Sequence, residues 1–302
     1  MPRCARIKNN NFMYHIMIRS ISEVHLFKSD SDKDMYLTII RSAKDKYYFN
    51  IYAFCLMDNH AHFIIDPLGA DISKIMHYIN FKYAMYYNTK YNRVGHLFQD
   101  RFKSKVIYSC NYLFNLSLYI HANPNDISQY KNKTHLYKYS SLIDYIKRTD
   151  RFNILNVSYL LKNLFFYYKL RCSDYANMCT RINSKDEIAC TNEDVQDLLI
   201  EGKNEYRSER YILLRSKTPK YIINHIANYL HVNFCDIYMK GQRKYVKFRS
   251  LCCYLLNCFC NIPQKDICLI FGNITQASIS RLSIKGSLYA KDDPLLIQSL
   301  FI

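Results

Sequence analysis

A chain of 302 residues has room for about two ordinary domains, each able to bury a core, and its 49% hydrophobic content argues for a folded protein. No apolar run reaches the roughly 18 to 20 residues needed to span a bilayer, so a membrane protein is not expected. Lys and Arg number 42 against 25 Asp and Glu, a net charge of +17, and there are 29 Tyr and 17 Phe. That balance suits a polyanionic partner, because basic side chains neutralise phosphates and aromatic faces stack on unpaired bases. An A/T-rich genome accounts for much of the Tyr, Asn, Lys and Ile, but less easily for the sign of the charge. Twelve cysteines without small-domain spacing, and no secretory leader, lead to the expectation of a reducing cytoplasm.

In chain order, FMYHIMIRS (Phe12 to Ser20) predicts a strand, and SDSDKDMYLTIIRSAKDKY (Ser29 to Tyr47) opens with cap-type residues before apolar positions at helical spacing. YAFCLM and HFII flank Asp58-Asn59, which predicts a hairpin. Asp71 to Tyr91 carries Ile72, Ile75, Met76, Ile79, Tyr83 and Tyr86 at three- and four-residue steps, the mark of a long amphipathic helix. After the loop NRVGHLFQDRF, KSKVI predicts another strand, and Asn111 to Asn123 a helix stopped by Pro124. Strand, helix, hairpin, helix, strand, helix is the order of an α+β sandwich with an antiparallel sheet.

Beyond Tyr145 the strand signal fades. SYLLKNLFFYYKL is partly helical, and NSKDEIACTNED is a candidate linker. From Lys220 the pattern is helical again, through YIINHIANYL, VKFRSLCCYLLNCFC, PQKDICLIFG and TQASISRLSIKG. The cysteines of the second of these lack a paired C-x-x-C knuckle and are expected to be buried in a helix.

Within the hairpin, His60 and His62 stand two residues apart in MDNHAHFII. Side chains at i and i+2 of a strand project to the same face, about 7 Å apart at the backbone, so the two imidazoles converge. Half-buried strand histidines are the plainer account of that pair alone. Tyr119 and Asn123, four apart on the predicted helix 111–123, share a face as well. His15 on the first strand reads as a satisfied core histidine or a helper of such a site. His121 faces away from both Tyr119 and Asn123. In the loop and strand after the long helix, His96, Gln99, Arg101, Lys103 and Lys105 include basic residues suited either to a DNA backbone or to a solvated surface.

The stretches YHIMIRS, LMDNHAHFII, GHLFQDRFKS, YLFNLSLYIHANP and YSSLIDY, between Tyr14 and Tyr145, together resemble the single-tyrosine HUH transposases, close to the REP-associated tyrosine transposases. H-x-H followed in order by GHLFQ-x-RFKS and Y-I-x-x-N-P carries the resemblance. Ala61 is a small version of the family's hydrophobic residue between the histidines, and Asn123 stands where many relatives carry Gln. The resemblance implies a ferredoxin- or RRM-like HUH nuclease fold, metal ligation by His60, His62 and Asn123, and Tyr119 as nucleophile. Two imidazoles and an amide oxygen leave positions open for phosphate oxygens and water on a hard cation, Mg²⁺ or Mn²⁺. Attack by the tyrosine conserves the phosphodiester energy in a 5′-phosphotyrosine, so a strand can later be rejoined.

Lys220 to Lys285 resembles the C-terminal DNA-binding domain of the bacterial replication initiator DnaA, a helix-turn-helix module, through IINHIANYLHVNFCDIYMKGQRKYVKFRSLCCYLL and IPQKDICLIFGNITQASISRL. The resemblance implies that Lys240, Arg243 and Lys244 form a basic loop on phosphates. It also implies that Thr275, Gln276, Ser278 and Arg281 open a recognition helix in the major groove. The initiators read Asp-His-Ser-Thr-Val where this chain has Thr275-Gln276-Ala277-Ser278-Ile279, so duplex binding is implied rather than the initiator's own site. A helical bundle for dimerisation or packing is the alternative. The expected organisation is a catalytic domain over 1–148, a helical linker region over 149–215 and a helical DNA-binding domain over 216–302. The expected function is a DNA transposase that cleaves and rejoins single-stranded DNA at hairpin or repeat ends, acting as monomer or homodimer. A domesticated endonuclease that nicks repeats, or a catalytically silent DNA-binding regulator, are the alternatives.

Overall fold

Runs rich in β-branched and aromatic residues form the strands. A computed structural model describes residues 12–21, 24–162, 171–181, 215, 217–260 and 262–300. The chain divides into two units, residues 1–44 with 49–211, and residues 45–48 with 212–302. The expected linker NSKDEIACTNED, and all of NLFFYYKL before it, lie outside the described residues.

In the first unit the elements run β1 (Met13–Arg19), α1 (Asp30–Tyr47), β2 (Asn50–Leu56), β3 (His60–Asp66), α2 (Ile72–Lys90), β4 (Lys103–Ile107) and α3 (Cys110–Ala122). Short helices α4 (Leu142–Lys147) and α5 (Val157–Leu160) follow, then α6 (Cys172–Arg181). The sheet order is β2-β3-β1-β4, each neighbouring pair antiparallel. The antiparallel α+β architecture is the one that the element order predicts, and its split βαβ arrangement is the ferredoxin-like one that the resemblance implies.

The sheet has two different faces because alternate residues diverge. Phe63 points to one side, where the Tyr36 ring of α1 lies 6.0 Å away and the Tyr83 ring of α2 lies 4.9 Å from Tyr36. Of the stripe expected on α2, Ile72, Ile75, Met76, Ile79 and Tyr83 are buried, with Tyr87 in place of half-buried Tyr86. The other face holds His60 and His62 and receives α3. Ser109 caps α3 by accepting the Tyr112 N–H, and a 3₁₀ turn at Asn123–Asp126, containing Pro124, ends it.

The second unit holds α7 (Pro219–Tyr229), α8 (Val246–Phe259), α9 (Gln264–Ile270), α10 (Gln276–Asp292) and α11 (Pro294–Ser299). Thr218 caps α7 with Pro219 in its first turn. Cys252, Cys253 and Cys258 are buried along α8, and the ten described cysteines carry no disulfide. Among the described residues no helix is long and apolar enough to cross a membrane.

Helices α8 and α10 approach closely at Gly286. A Cβ there would lie 2.6 Å from the Ser250 carbonyl carbon and 2.7 Å from Tyr254 Cβ, overlapping the Ser250 carbonyl oxygen. Backbone cannot swing aside as a side-chain tip can, so Gly286→Ala forces the helices apart. The expected cost is about 3 kcal/mol, at the upper end for overpacking, read as a lower midpoint in chemical denaturation of the second unit.

Candidate active site

Strand register decides which side chains share the face under α3. In the β1–β3 pair Arg19 lies opposite His60, Met17 opposite His62 and His15 opposite Ile64. In the β1–β4 pair Lys103 lies opposite Met17 and Lys105 opposite His15. Directly opposed residues of antiparallel strands project to the same face. Arg19, His15, His60, His62, Lys103 and Lys105 are therefore on one side of the sheet, with the lysines and Arg19 exposed around the histidines.

The His60 and His62 rings stand edge to face with centroids 5.1 Å apart. The half-buried Tyr119 ring on α3 meets His62 edge-on at 5.5 Å. One turn on, Asn123 is buried, and its Nδ2 donates to the Tyr119 carbonyl at 2.8 Å. A carbonyl only accepts, so this bond fixes the amide with Oδ1 turned to His60, 3.4 Å from Nε2. His60 Nδ1 lies 2.6 Å from Asn59 Oδ1, an acceptor that places the ring proton on Nδ1. Nε2 of His60 and Oδ1 of Asn123 are then two lone pairs facing each other. The four residues read from the sequence as ligands and nucleophile thus come together in one place.

Burial keeps these imidazoles neutral. It pushes His62 well below the ordinary histidine range, with His15 and His60 adding to the effect. It also lowers His60, with the Asn123 oxygen that faces its Nε2 opposing the shift. His15 is held down to about 3, by burial first and the Lys105 charge second. Neutral imidazoles are the form that ligates metal. Among the described residues no group of three or more His, Cys, Asp or Glu gathers as a metal site. The donor set is instead two imidazoles and one amide oxygen, and the facing lone pairs of His60 and Asn123 are what a shared hard cation relieves. Their 3.4 Å separation is close to the roughly 3 Å between neighbouring ligands of an octahedral Mg²⁺. The residues present fit such an ion.

Helix α3 is held in place from behind. His121, fully buried, bonds Tyr175 of α6 at 2.9 Å and Ser141 at 2.7 Å, and the Tyr175 hydroxyl donates to Ser117 at 2.8 Å. The face of α3 opposite Tyr119 and Asn123 is thereby tied into the core, as expected for a histidine that points away.

Residues 8–123 match the family model described as Transposase IS200 like. That stretch, the N-terminal part of the chain, is thus similar to the IS200-like transposases. Among solved structures, that of "the REP associates tyrosine transposase bound to a REP hairpin" is similar, with 15% identity over 52% of this chain and 90% of that one at a TM-score of 0.41. No curated protein matches.

Three further residues around this candidate site are placed by pairing between strands. His15 is more than a core histidine: its Nε2 lies 3.0 Å from His62 Nδ1, and its ring 6.4 Å from that of Tyr119. Arg19 stands across from His60, a position that nothing local to β1 specifies. Lys105, expected either on a DNA backbone or on a solvated surface, stands across from His15. Arg101 and Lys103 are exposed at the start of β4.

In the helical unit Lys240, Arg243 and Lys244 are all exposed, and Lys240 Nζ donates to the Gly272 carbonyl at 3.0 Å. Gly272, at φ +73°, and Asn273 end α9. The Gly272 N–H bonds the Leu269 carbonyl and the Asn273 N–H that of Cys268, a Schellman stop for which glycine suits the left-handed position. Thr275 then caps α10 through the Ser278 N–H at 3.2 Å, and its hydroxyl also pairs with that of Ser278 at 2.9 Å. Gln276 and Arg281 are exposed on the first turns of α10, while Ile279 faces inward.

Proposed function

We propose that this chain cuts and rejoins single-stranded DNA through a 5′-phosphotyrosine on Tyr119, as a strand transferase. The observation that carries the reading is the edge-on approach of Tyr119 to His62 at 5.5 Å, on the same helix that turns the Asn123 oxygen toward His60. Mg²⁺ or Mn²⁺, when held by His60, His62 and Asn123, supplies Lewis-acid polarisation of the scissile phosphate. The Tyr119 oxygen bonds to phosphorus as the bond to the 3′ oxygen breaks, and the phenolic proton ends on the released 3′-hydroxyl. The reverse attack by a 3′-hydroxyl rejoins a strand and frees the tyrosine. Arg19, Arg101, Lys103 and Lys105 lie where a backbone crossing the sheet face meets positive charge.

Residues 1–148 are assigned to this chemistry, and 216–302 to locating the site on duplex DNA. For the latter, Lys240, Arg243 and Lys244 contact phosphates, while Gln276 and Arg281 are aimed at base edges and Thr275 and Ser278 set the start of the helix. The test of the catalytic reading incubates the full chain with labelled single strands carrying hairpin or repeat ends and Mn²⁺, with and without EDTA, on a denaturing gel. A slow-migrating covalent adduct that EDTA removes is expected; cleavage that persists in EDTA overturns the metal's part, and absence of any adduct overturns the nucleophile. For the helical unit, replacing Arg243 and Lys244 together with alanine should flatten the dependence of log affinity for duplex DNA on log salt by about two. An unchanged slope removes both residues from the phosphate contacts.

A further inference from the structure

His15 is not one of the proposed ligands, and it does not lie directly across from His62 in the sheet. It reaches His62 along the diagonal of the β1–β3 pair, a distance that long side chains span. The outcome is a buried pair, each residue 5% exposed, with His15 Nε2 and His62 Nδ1 3.0 Å apart and the rings tilted by 25°. One proton lies between two neutral rings. Which ring carries it determines what the other nitrogen of His62 can do.

A neutral imidazole has one N–H and one lone pair. If His62 carries the proton on Nδ1 and donates to His15, its Nε2 presents a lone pair. If His15 donates instead, His62 is protonated on Nε2 and has no lone pair left for a ligand. We propose that His15 is a positioning residue, whose Nε2 accepts the Nδ1 proton of His62 and so fixes the His62 tautomer and ring orientation for ligation through Nε2. This rests on the reading of His60, His62 and Asn123 as a cation site.

Two features of the surroundings agree. His60 is set in the same tautomer by Asn59, whose oxygen takes its Nδ1 proton at 2.6 Å. Both histidines then have their Nδ1 protons engaged and their Nε2 lone pairs available. The orienting partner of a ligand histidine is commonly a carboxylate or a carbonyl. A carboxylate here would add a negative charge beside a site that has to admit a phosphate, whereas an imidazole accepts the same bond without one.

The experiment compares the wild-type chain with His15→Gln, His15→Leu and His62→Ala. Mn²⁺ affinity is measured by electron paramagnetic resonance in the absence of DNA, and histidine ¹⁵N NMR with Mg²⁺ present reads the His62 tautomer. The wild type should show a protonated Nδ1 at His62. His15→Leu, close in size but without an acceptor, should weaken Mn²⁺ binding about 10- to 100-fold. His15→Gln, whose side-chain oxygen can accept the same proton, should retain most of the affinity, a rescue that a purely space-filling role would not produce. Wild-type affinity in His15→Leu while His62→Ala is impaired, or an Nε2-protonated His62 in the wild type, overturns the role of His15 and leaves the cation site standing. Equal, weak Mn²⁺ binding by wild type and His62→Ala overturns the cation site itself.

Discussion

Tyr119→Phe is expected to give no covalent protein–DNA adduct, below about one thousandth of the wild-type yield, while single-strand binding stays within about twofold. The substitution removes one oxygen from a ring whose place is set by α3. That helix is tied to α6 and to Ser141 before α4 by the bonds of His121, Ser117 and Tyr175. The His62 contact at 5.5 Å is between rings and survives in phenylalanine. The measurement is a denaturing gel of labelled single strand with Mn²⁺, beside a filter-binding isotherm for the same strand. An adduct at wild-type yield would place the nucleophile on another residue.

The second large effect comes from the histidines. Replacing His60 and His62 together with alanine leaves Tyr119 in place but removes both imidazole donors, so that cleavage should fall by about 10³-fold or more, a loss of several kcal/mol of charge stabilisation at the phosphate. Excess Mn²⁺ should rescue it poorly, because the remaining Asn123 oxygen is a single weak donor. Asn123→Ala is expected to be milder, since water can replace one amide oxygen around a hard ion. Its cost includes a second element: the Asn123 amide also braces the Tyr119 carbonyl at 2.8 Å, so the variant loosens the last turn that carries the nucleophile. Single-turnover cleavage rates across a Mn²⁺ titration separate these cases. A double variant cleaving at the wild-type rate would free the histidines from any part in the chemistry.

What the sequence by itself determined is whatever depends on the repeat of one element. The two-residue step of a strand puts His60 and His62 on one face, and the four-residue step of a helix puts Tyr119 beside Asn123 and turns His121 away from them. Capping and turn residues set the ends of the elements, so KSKVI, the H-x-H hairpin and the helix after Ser109 all lie where local chemistry places them. The alternation of strands and helices was likewise enough for the antiparallel α+β fold. Only the tertiary structure decided what depends on pairing between distant segments. The register of β1 on β3 and β4 brings His15 to His62, Arg19 across from His60 and Lys105 across from His15. The packing of α3 brings Tyr119 to His62, and the donor bond from Asn123 to the Tyr119 carbonyl turns its oxygen toward His60. Gly286 is marked by the backbone of Ser250, 36 positions earlier in the numbering, and by nothing near it in the chain. The physical reason is common to all of these. A residue's face follows from the dihedral repeat of its own element, whereas its neighbours across a sheet or between helices follow from register and packing, which shift by whole residues without altering any local pattern.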